Sequence, residues 1–454
     1  MPFCVAIPTT GLMLLALGTL ASAGGTGESD WPNWRGPHHD GSAGAKDLPA
    51  DFSKDRGVAW TTRLPGPGAS SPAIVGERVF LTSIDSMGSE LLAICLDADS
   101  GAERWIVPAG SGYRPGGKGS ETKIHNRSNY ASPSPTCDGE RVLFFFGNGD
   151  LSSFSLDGEL EWSRNLQKEF GDFAFQWTFS ASPTLWKGRV YLPVLQRNQP
   201  VGGIGKAGGE SYLLALDAET GETVFRVLRP SKAIMESLES YASAIPHVGQ
   251  DGREELLVVG GDVITGHDPQ SGKELWRWGT WNEGHREPAW RLVPSPVTGA
   301  GLVLACGPKG APACAVRLGG EGELGAAGLA WKSAGRRDPV TTDVPTPLFD
   351  DGSFFVLSDL RESLTRVNAA SGEKEWTLKL SGDHRWRASP TGADGKIWLM
   401  DHGGNVLVVD ATSGELVHQA AMGDEDEDSA RAAIAVAHGS LFIRTSDTIY
   451  RVGG

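Results

Sequence analysis

The sequence predicts an all-β fold: a single eight-bladed β-propeller of four-stranded antiparallel blades, closed by an N-terminal strand that completes the last blade. Three observations carry this. Short runs such as RVFLTS, RVLFFF, RVYLPV and KIWLMD are rich in β-branched and aromatic residues and bounded by Gly, Asp or Pro, as strands are. One phrase keeps returning, as CLDADSGAERW at 95–105, LALDAETGETVF at 214–225, VNAASGEKEW at 367–376 and VDATSGELVH at 409–418. Finally, two series of landmarks each count to eight but are offset against each other, so the ends of the chain are complementary.

In chain order, the first element is an apolar stretch, GLMLLALGTL, followed by ASA. It is too short to span a bilayer and reads as a signal peptide over 1–23, cleaved after Ala23. Cys4 precedes that apolar core and is not a lipoprotein anchor. An extended arm is expected over 24–56, and the propeller over 57–454. GVAWTTRL at 57–64 is the strand expected to add to the C-terminal blade, latching the circle through backbone hydrogen bonds and shielding its edge.

The blade starts are marked by a proline seven residues before an apolar strand centre: Pro72, Pro135, Pro183, Pro296, Pro347 and Pro390. Pro246 joins them if an insertion is allowed, and Ile434 has the spacing without the proline. The blade ends are marked by an aromatic: Trp60, Trp105, Trp162, Phe225, Trp276, Trp331 and Trp376, with His418 in the eighth slot. Each is expected to wedge between blades, where a buried Trp removes about 150–250 Å² from water. Trp60 precedes the first start and nothing follows the last one, which is the offset that closure requires.

Composition narrows the function classes. The 61 glycines and 27 prolines stand beside 15 Trp and 16 Phe, a pattern of many turns around a real core. A formal net charge of −15 argues against nucleic acid or anionic lipid as a partner. No later segment is apolar for long enough to cross a membrane, so an exported, periplasmic or secreted monomer is expected. Cys306 and Cys314 flank the connection of a hairpin; disulfide reach and two buried thiols both remain open. Cys95 and Cys137 are expected to be unpaired. GDEDEDS at 423–429 lacks the EF-hand glycine and distal glutamate, and adjacent His38 and His39 point apart in an extended chain, so no metal site is assigned.

The repeats resemble those of the quinoprotein, or PQQ-like, propellers, which occur in quinone-dependent alcohol dehydrogenases and in the BamB-type outer-membrane assembly lipoprotein. The opening DWPNWRGPHHDG at 30–41 is similar to the arm of many exported bacterial propellers of this type, which implies packing roles for Trp31, Trp34 and Arg35. The dehydrogenases pair adjacent cysteines with a calcium set and an aspartate base. This chain has no adjacent cysteines and no matching acidic motif, so no catalytic residue is carried over, and PQQ and calcium are not assigned.

The loops leading into the innermost strands converge on one face. That face is expected to collect His125, Asn126, Arg127, Trp177, Glu239, Arg286, Trp290, Arg385 and Trp386 as a ligand-binding mouth. Trp faces stack on rings and Arg forks grip anions. The expected function is therefore a non-enzymatic exported module binding a protein, or a small or glycan anion, at its central face. A divergent PQQ-type oxidoreductase or other propeller enzyme is the alternative.

Overall fold

The computed structural model describes residues 1–2, 25–85, 87, 90–117, 129–279 and 281–454; the signal-peptide reading of 1–23 lies almost wholly outside them. Eight sheets form the ring. Blades 1 to 7 occupy 73–108, 136–165, 184–228, 245–279, 297–332, 348–379 and 391–421, each running outward from its innermost strand. Blade 8 takes three strands from 435–452 and its fourth from Val58–Arg63. That strand runs antiparallel to Thr448–Val452, with Thr61 opposite Tyr450 and Arg63 opposite Thr448. The circle is latched by the two ends of the chain.

Blade 4 departs from the regular plan twice. Ile245, not a residue after Pro246, occupies its first strand position, opposite Leu257, so Ala244 stands where blades 1 to 3 and 5 to 7 have proline. Blade 4 also gains a parallel two-residue strand, Gly322–Glu323, against Trp276 and Arg277.

The middle strands are buried on both faces because neighbouring blades cover them, and they read as continuous apolar runs. The core lies between blades. Phe80 and Cys95 of blade 1, for example, pack with Phe144 and Phe154 of blade 2.

The recurrent phrase builds the joint between blades. Asp97 Oδ1 accepts from Ser100 N at 2.8 Å and Ser100 Oγ at 2.7 Å, which closes the turn between the third and fourth strands. The serine bond, first among its interactions, holds the Asp97 carboxyl down at about 2. Asp217 with Thr220, Asp268 with Ser271 and Asp410 with Ser413 repeat this. The glycine that follows takes a positive φ, +70° at Gly101, and leaves a flat floor. The Trp of the preceding blade lies on that floor. A Cβ at Gly101 would come within 2.5 Å of Trp60, one at Gly221 within 2.6 Å of Trp162, and one at Gly414 within 2.7 Å of Trp376. The indole also donates across the joint: Trp60 to Ala98 O at 2.9 Å, Trp105 to Leu156 O at 3.0 Å, Trp331 to Ala369 O at 2.8 Å. Phe225 lies on Gly272 in the same way without the hydrogen bond.

Trp276 keeps its expected place between blades but not the contact the other aromatics make. It is fully buried in the cluster between blades 4 and 5, yet packs on Gly266 and donates to Glu255 Oε2 at 3.0 Å, both of its own blade. Blade 5 has RLGGEGELGAAG where other blades have the Asp-Ala-x-Thr-Gly turn, so no glycine floor waits for it. Trp278, two residues on, reaches blade 5 instead, donating to Gly325 O at 3.0 Å.

The cysteine pair is also settled. Cys306 lies opposite Ala313 and Cys314 opposite Ala305, so the two thiols project from opposite faces of blade 5 into different clusters. Side chains alternate across a strand, and the two positions fall on opposite parity. All four described cysteines are free and buried.

The arm crosses the face that carries the turns between first and second strands. Trp31 and Ile74 exchange backbone hydrogen bonds at 2.8 Å, Cys137 N donates to Pro32 O, and Gly392 N to Gly41 O. Trp31 is 1% exposed and Arg35 fully buried. Further along, Phe52 packs on His418, whose Nε2 lies 2.7 Å from Phe52 O. The arm thus supplies to blade 7 the partner that blade 8, split between the chain ends, lacks.

Candidate functional site

The innermost strands leave an axial chamber of about 230 Å³. Its wall is built in tiers, because residues two apart on an extended chain face the same way. The deepest tier is Ser71, Ser134, Ser182, Ser243, Ser295, Thr346, Ser389 and Ala433, one from each blade entry. Their backbones and hydroxyls are linked in a circle. Ser71 N donates to Ser134 Oγ at 2.9 Å, Ser134 N to Ser182 Oγ at 3.0 Å, and Ser182 N to Ser243 Oγ at 2.9 Å. Ser243 N continues to Ser295 Oγ, Ser295 N to Thr346 Oγ1, Thr346 N to Ser389 Oγ, and Ala433 N returns to Ser71 Oγ at 2.8 Å. Each hydroxyl accepts, which leaves its hydrogen to donate elsewhere.

Two residues outward, Arg387 and Arg431 enter the wall ahead of blades 7 and 8, and Ser180 and Tyr241 ahead of blades 3 and 4. In an eight-membered ring these pairs stand opposite each other. Trp177 joins the blade 3 side and Arg291 the wall ahead of blade 5. Trp177 and Tyr241 therefore face Arg387 and Arg431 across the chamber, with Arg291 beside Tyr241.

The far end is closed by the arm. Trp34 forms part of the lining, and Arg35 beside it donates to Pro390 O at 3.1 Å and Pro347 O at 2.6 Å. Gly41 must be glycine, since a Cβ there would lie 2.1 Å from Arg35 Nη2. Burial lowers the Arg35 guanidinium to about 10. The chamber is a cup open at the loop face.

Among the described residues no Asp, Glu or Cys lines it. The acids stand behind the arginines. Arg291 makes a two-point pair with Asp343 at 2.7 and 2.8 Å, and Arg387 Nε lies 3.4 Å from Asp359. Asp343 is held low by Arg291 against its burial, whereas burial raises Asp359. His402, between blades 7 and 8, is lowered to about 3, by burial first and then by Arg431, Arg387, Arg385 and His384. It stays neutral in a cationic corner.

The structure redistributes the sequence-predicted residues. Trp177 lines the chamber, its backbone N–H donating to Tyr241 Oη at 3.1 Å. Glu239 is fully buried behind the wall, accepting from Tyr241 at 2.5 Å and Gln176 N at 3.1 Å and pairing with Arg197. Burial raises its carboxyl. Arg286 and Arg385 are exposed and outside the lining, Trp290 packs against the blade 4–5 cluster, and Trp386 is 2% exposed in the core between blades 6 and 7. His125, Asn126 and Arg127 lie outside the described residues. Next to the strand the reason is parity: Trp386 is three residues before the ring serine Ser389, hence turned sideways, while Arg387 is two before it. Counting two back from the residue before the blade start, Pro390 or Ile434, would have found Arg387 and Arg431; farther out parity fails, since Arg385, four before Ser389, is outside the lining and Trp177, five before Ser182, is in it.

Among the described residues the lining offers no carboxylate or thiol that would hold a calcium ion, and no group of three or more His, Cys, Asp or Glu gathers.

Ring, latch and chamber define an eight-bladed propeller of the PQQ-like class. More particularly, the family model described as outer membrane protein assembly factor BamB matches residues 53–197 and 260–454, and the chain belongs to that family. BamB from Moraxella catarrhalis is similar in structure, with TM-score 0.57 and 14% identity over 87% of this chain and 97% of that one. The quinohemoprotein alcohol dehydrogenase from Comamonas testosteroni aligns at TM-score 0.64 and 14% identity, over 94% of this chain and 81% of that one. A europium-containing methanol dehydrogenase aligns at 0.64 and 11%, over 92% and 89%. At such identities the likeness is one of fold. No curated protein matches the sequence. No described helix is long and apolar enough to cross a membrane.

Proposed function

We propose that the protein is an exported, non-enzymatic binding module whose cup takes a small anion with a ring-shaped body, such as the terminal residue of an acidic or sulfated glycan. The observation that carries this is the opposition of Trp177 and Tyr241 to Arg387 and Arg431 in a wall whose described residues include no carboxylate. An aromatic face stacks on a ring while guanidinium forks hold the charged group. At about 230 Å³ the cup is smaller than the ~300–1,000 Å³ of sites for drug-sized ligands, and one end is closed, so it suits the end of a chain rather than its middle.

Titration calorimetry with glucuronate-terminated and sulfated oligosaccharides, against their neutral counterparts, tests the reading. The anionic sugars bind, binding weakens with salt, and an Arg387→Ala/Arg431→Ala variant loses tenfold or more. Binding that ignores salt or survives the double substitution overturns it. Saturation by acidic peptides but not by sugars moves the function to protein docking.

A further inference from the structure

The hydroxyl circle has one break. Seven of its eight positions carry a hydroxyl, and seven N–H groups are accepted by the next one along. The eighth position is Ala433, so the Ser389 N–H that would donate to it meets a methyl group, and no described residue accepts from it. Ser389 is half-buried and lines the cup, so this N–H is turned toward whatever the cup holds. The break falls beside the cationic corner: Arg387 is two residues before Ser389, and Arg431 two before Ala433, both lining the chamber. His402 there is buried, with no hydrogen-bond partner at Nε2 among the described residues.

We infer that the gap between Ser389 and Ala433 is an anion seat, in which the Ser389 N–H receives one oxygen of a carboxylate or sulfate while Arg387 and Arg431 receive the others. The inference deepens the proposed function and rests on it. The seat fixes the ligand's direction, because its charged end lies between blades 7 and 8 and its ring then extends toward Trp177 and Tyr241 across the cup. Alanine is what makes the seat. A serine at 433 would complete the circle, take the Ser389 N–H for itself and fill the space where the oxygen belongs. Oxyanion bonds to backbone N–H groups are charge-assisted and geometrically selective, so the loss of one is measurable.

The test is Ala433→Ser, with sodium glucuronate and inorganic sulfate as probes. The variant adds a hydrogen bond that the other seven joints already make, so it folds and melts no lower than wild type. Its affinity for both probes falls tenfold or more, although every arginine is in place. In wild type, the Ser389 amide resonance moves on sulfate addition; in the variant it does not. Equal affinity in the two proteins, with the arginine variant still impaired, overturns the seat and leaves the proposed function standing. Failure of wild type to bind either probe overturns both. A Ser389 amide that ignores sulfate while binding is observed places the anion elsewhere and also overturns the seat.

Discussion

The joint between blades 5 and 6 and the joint between blades 4 and 5 begin from the same residue type and end differently. At the first, Trp331 lies on Gly372 and donates to Ala369 O at 2.8 Å. At the second, Trp276 lies in the joint but packs on Gly266 and donates to Glu255 of its own blade, and Trp278 makes the hydrogen bond across, to Gly325 O. The wedge is half of a pair. The other half is the glycine of the following blade, and where that turn is missing the indole finds its cavity elsewhere. An aromatic at a fixed spacing therefore marks a strand reliably but specifies a contact only when its receptor is also in the sequence.

The strongest way to break the regular joint is at the closure, where it also holds the two chain ends together. Deleting 57–64 removes a whole strand from blade 8, and cooperative melting is lost. Trp60→Ala leaves the strand but empties the space over Gly101, costing about 3–5 kcal/mol. Thermal melting of both variants checks this; an unchanged melting temperature for the deletion breaks the latch.

Acid attacks the joint between blades 3 and 4. His267 is buried beside it, 2.9 Å from Gly272 O, and burial lowers its pKa to about 4. The unfolded chain takes up that proton near 6.5 while the folded chain resists it. The stability from neutral His267 is thus full above 6.5 and is lost as pH falls toward 4. The loss is about 1.4 kcal/mol per pH unit. Denaturation midpoints from pH 7 to 5 should fall more steeply in wild type than in His267→Leu; parallel slopes sink the assignment.

Glycines separate the floor from the turn. Gly372 and Gly352 have nearly the same φ, +76° and +74°, but a Cβ at Gly372 meets Trp331 at 2.6 Å and one at Gly352 meets nothing within 4 Å. Gly352→Ala costs about 1 kcal/mol of backbone strain, and Gly372→Ala costs about 2–3 kcal/mol more. Equal losses in urea titration would show that the indole moves aside freely.

The indole N–H gives a smaller difference. Trp331→Phe forfeits one bond to a backbone carbonyl, about 1 kcal/mol, while Trp276→Phe leaves the buried Glu255 short of a donor and costs about 1–2 kcal/mol more. A double-mutant cycle with Glu255→Gln reads the coupling. The smallest effect is expected at Cys306 and Cys314: both alkylate as free thiols after denaturation without reductant, and reductant leaves the melting temperature within error.

Much of this was legible because it is local. The eight starts, the closing strand and the series of latch aromatics follow from spacing. The chamber was less so. Trp177 was read from its loop, whereas Arg286, Arg385, Trp290 and Trp386 were chosen from the right loops at positions that do not face the axis. A loop's composition does not reveal which side chains turn inward; the parity of the strand it enters does so only for the last residues before it, as at Arg387, and farther out the loop's own packing decides.

The sequence by itself determined the propeller, its blade count and its manner of closure. Each rests on a repeated contact between residues close in the chain, or on two ends complementary in pattern. Only the tertiary structure decided that Cys306 and Cys314 project from opposite faces, that Trp276 takes its hydrogen bond within its own blade, and that the arm makes the channel a cup. It also decided that Ala433 interrupts a circle of hydroxyls beside two arginines. These depend on register and on neighbours hundreds of residues apart, as when Arg35 meets the carbonyl of Pro390. A one-residue change of register turns a strand's whole set of side chains to the opposite face, and only packing fixes which face is the axis.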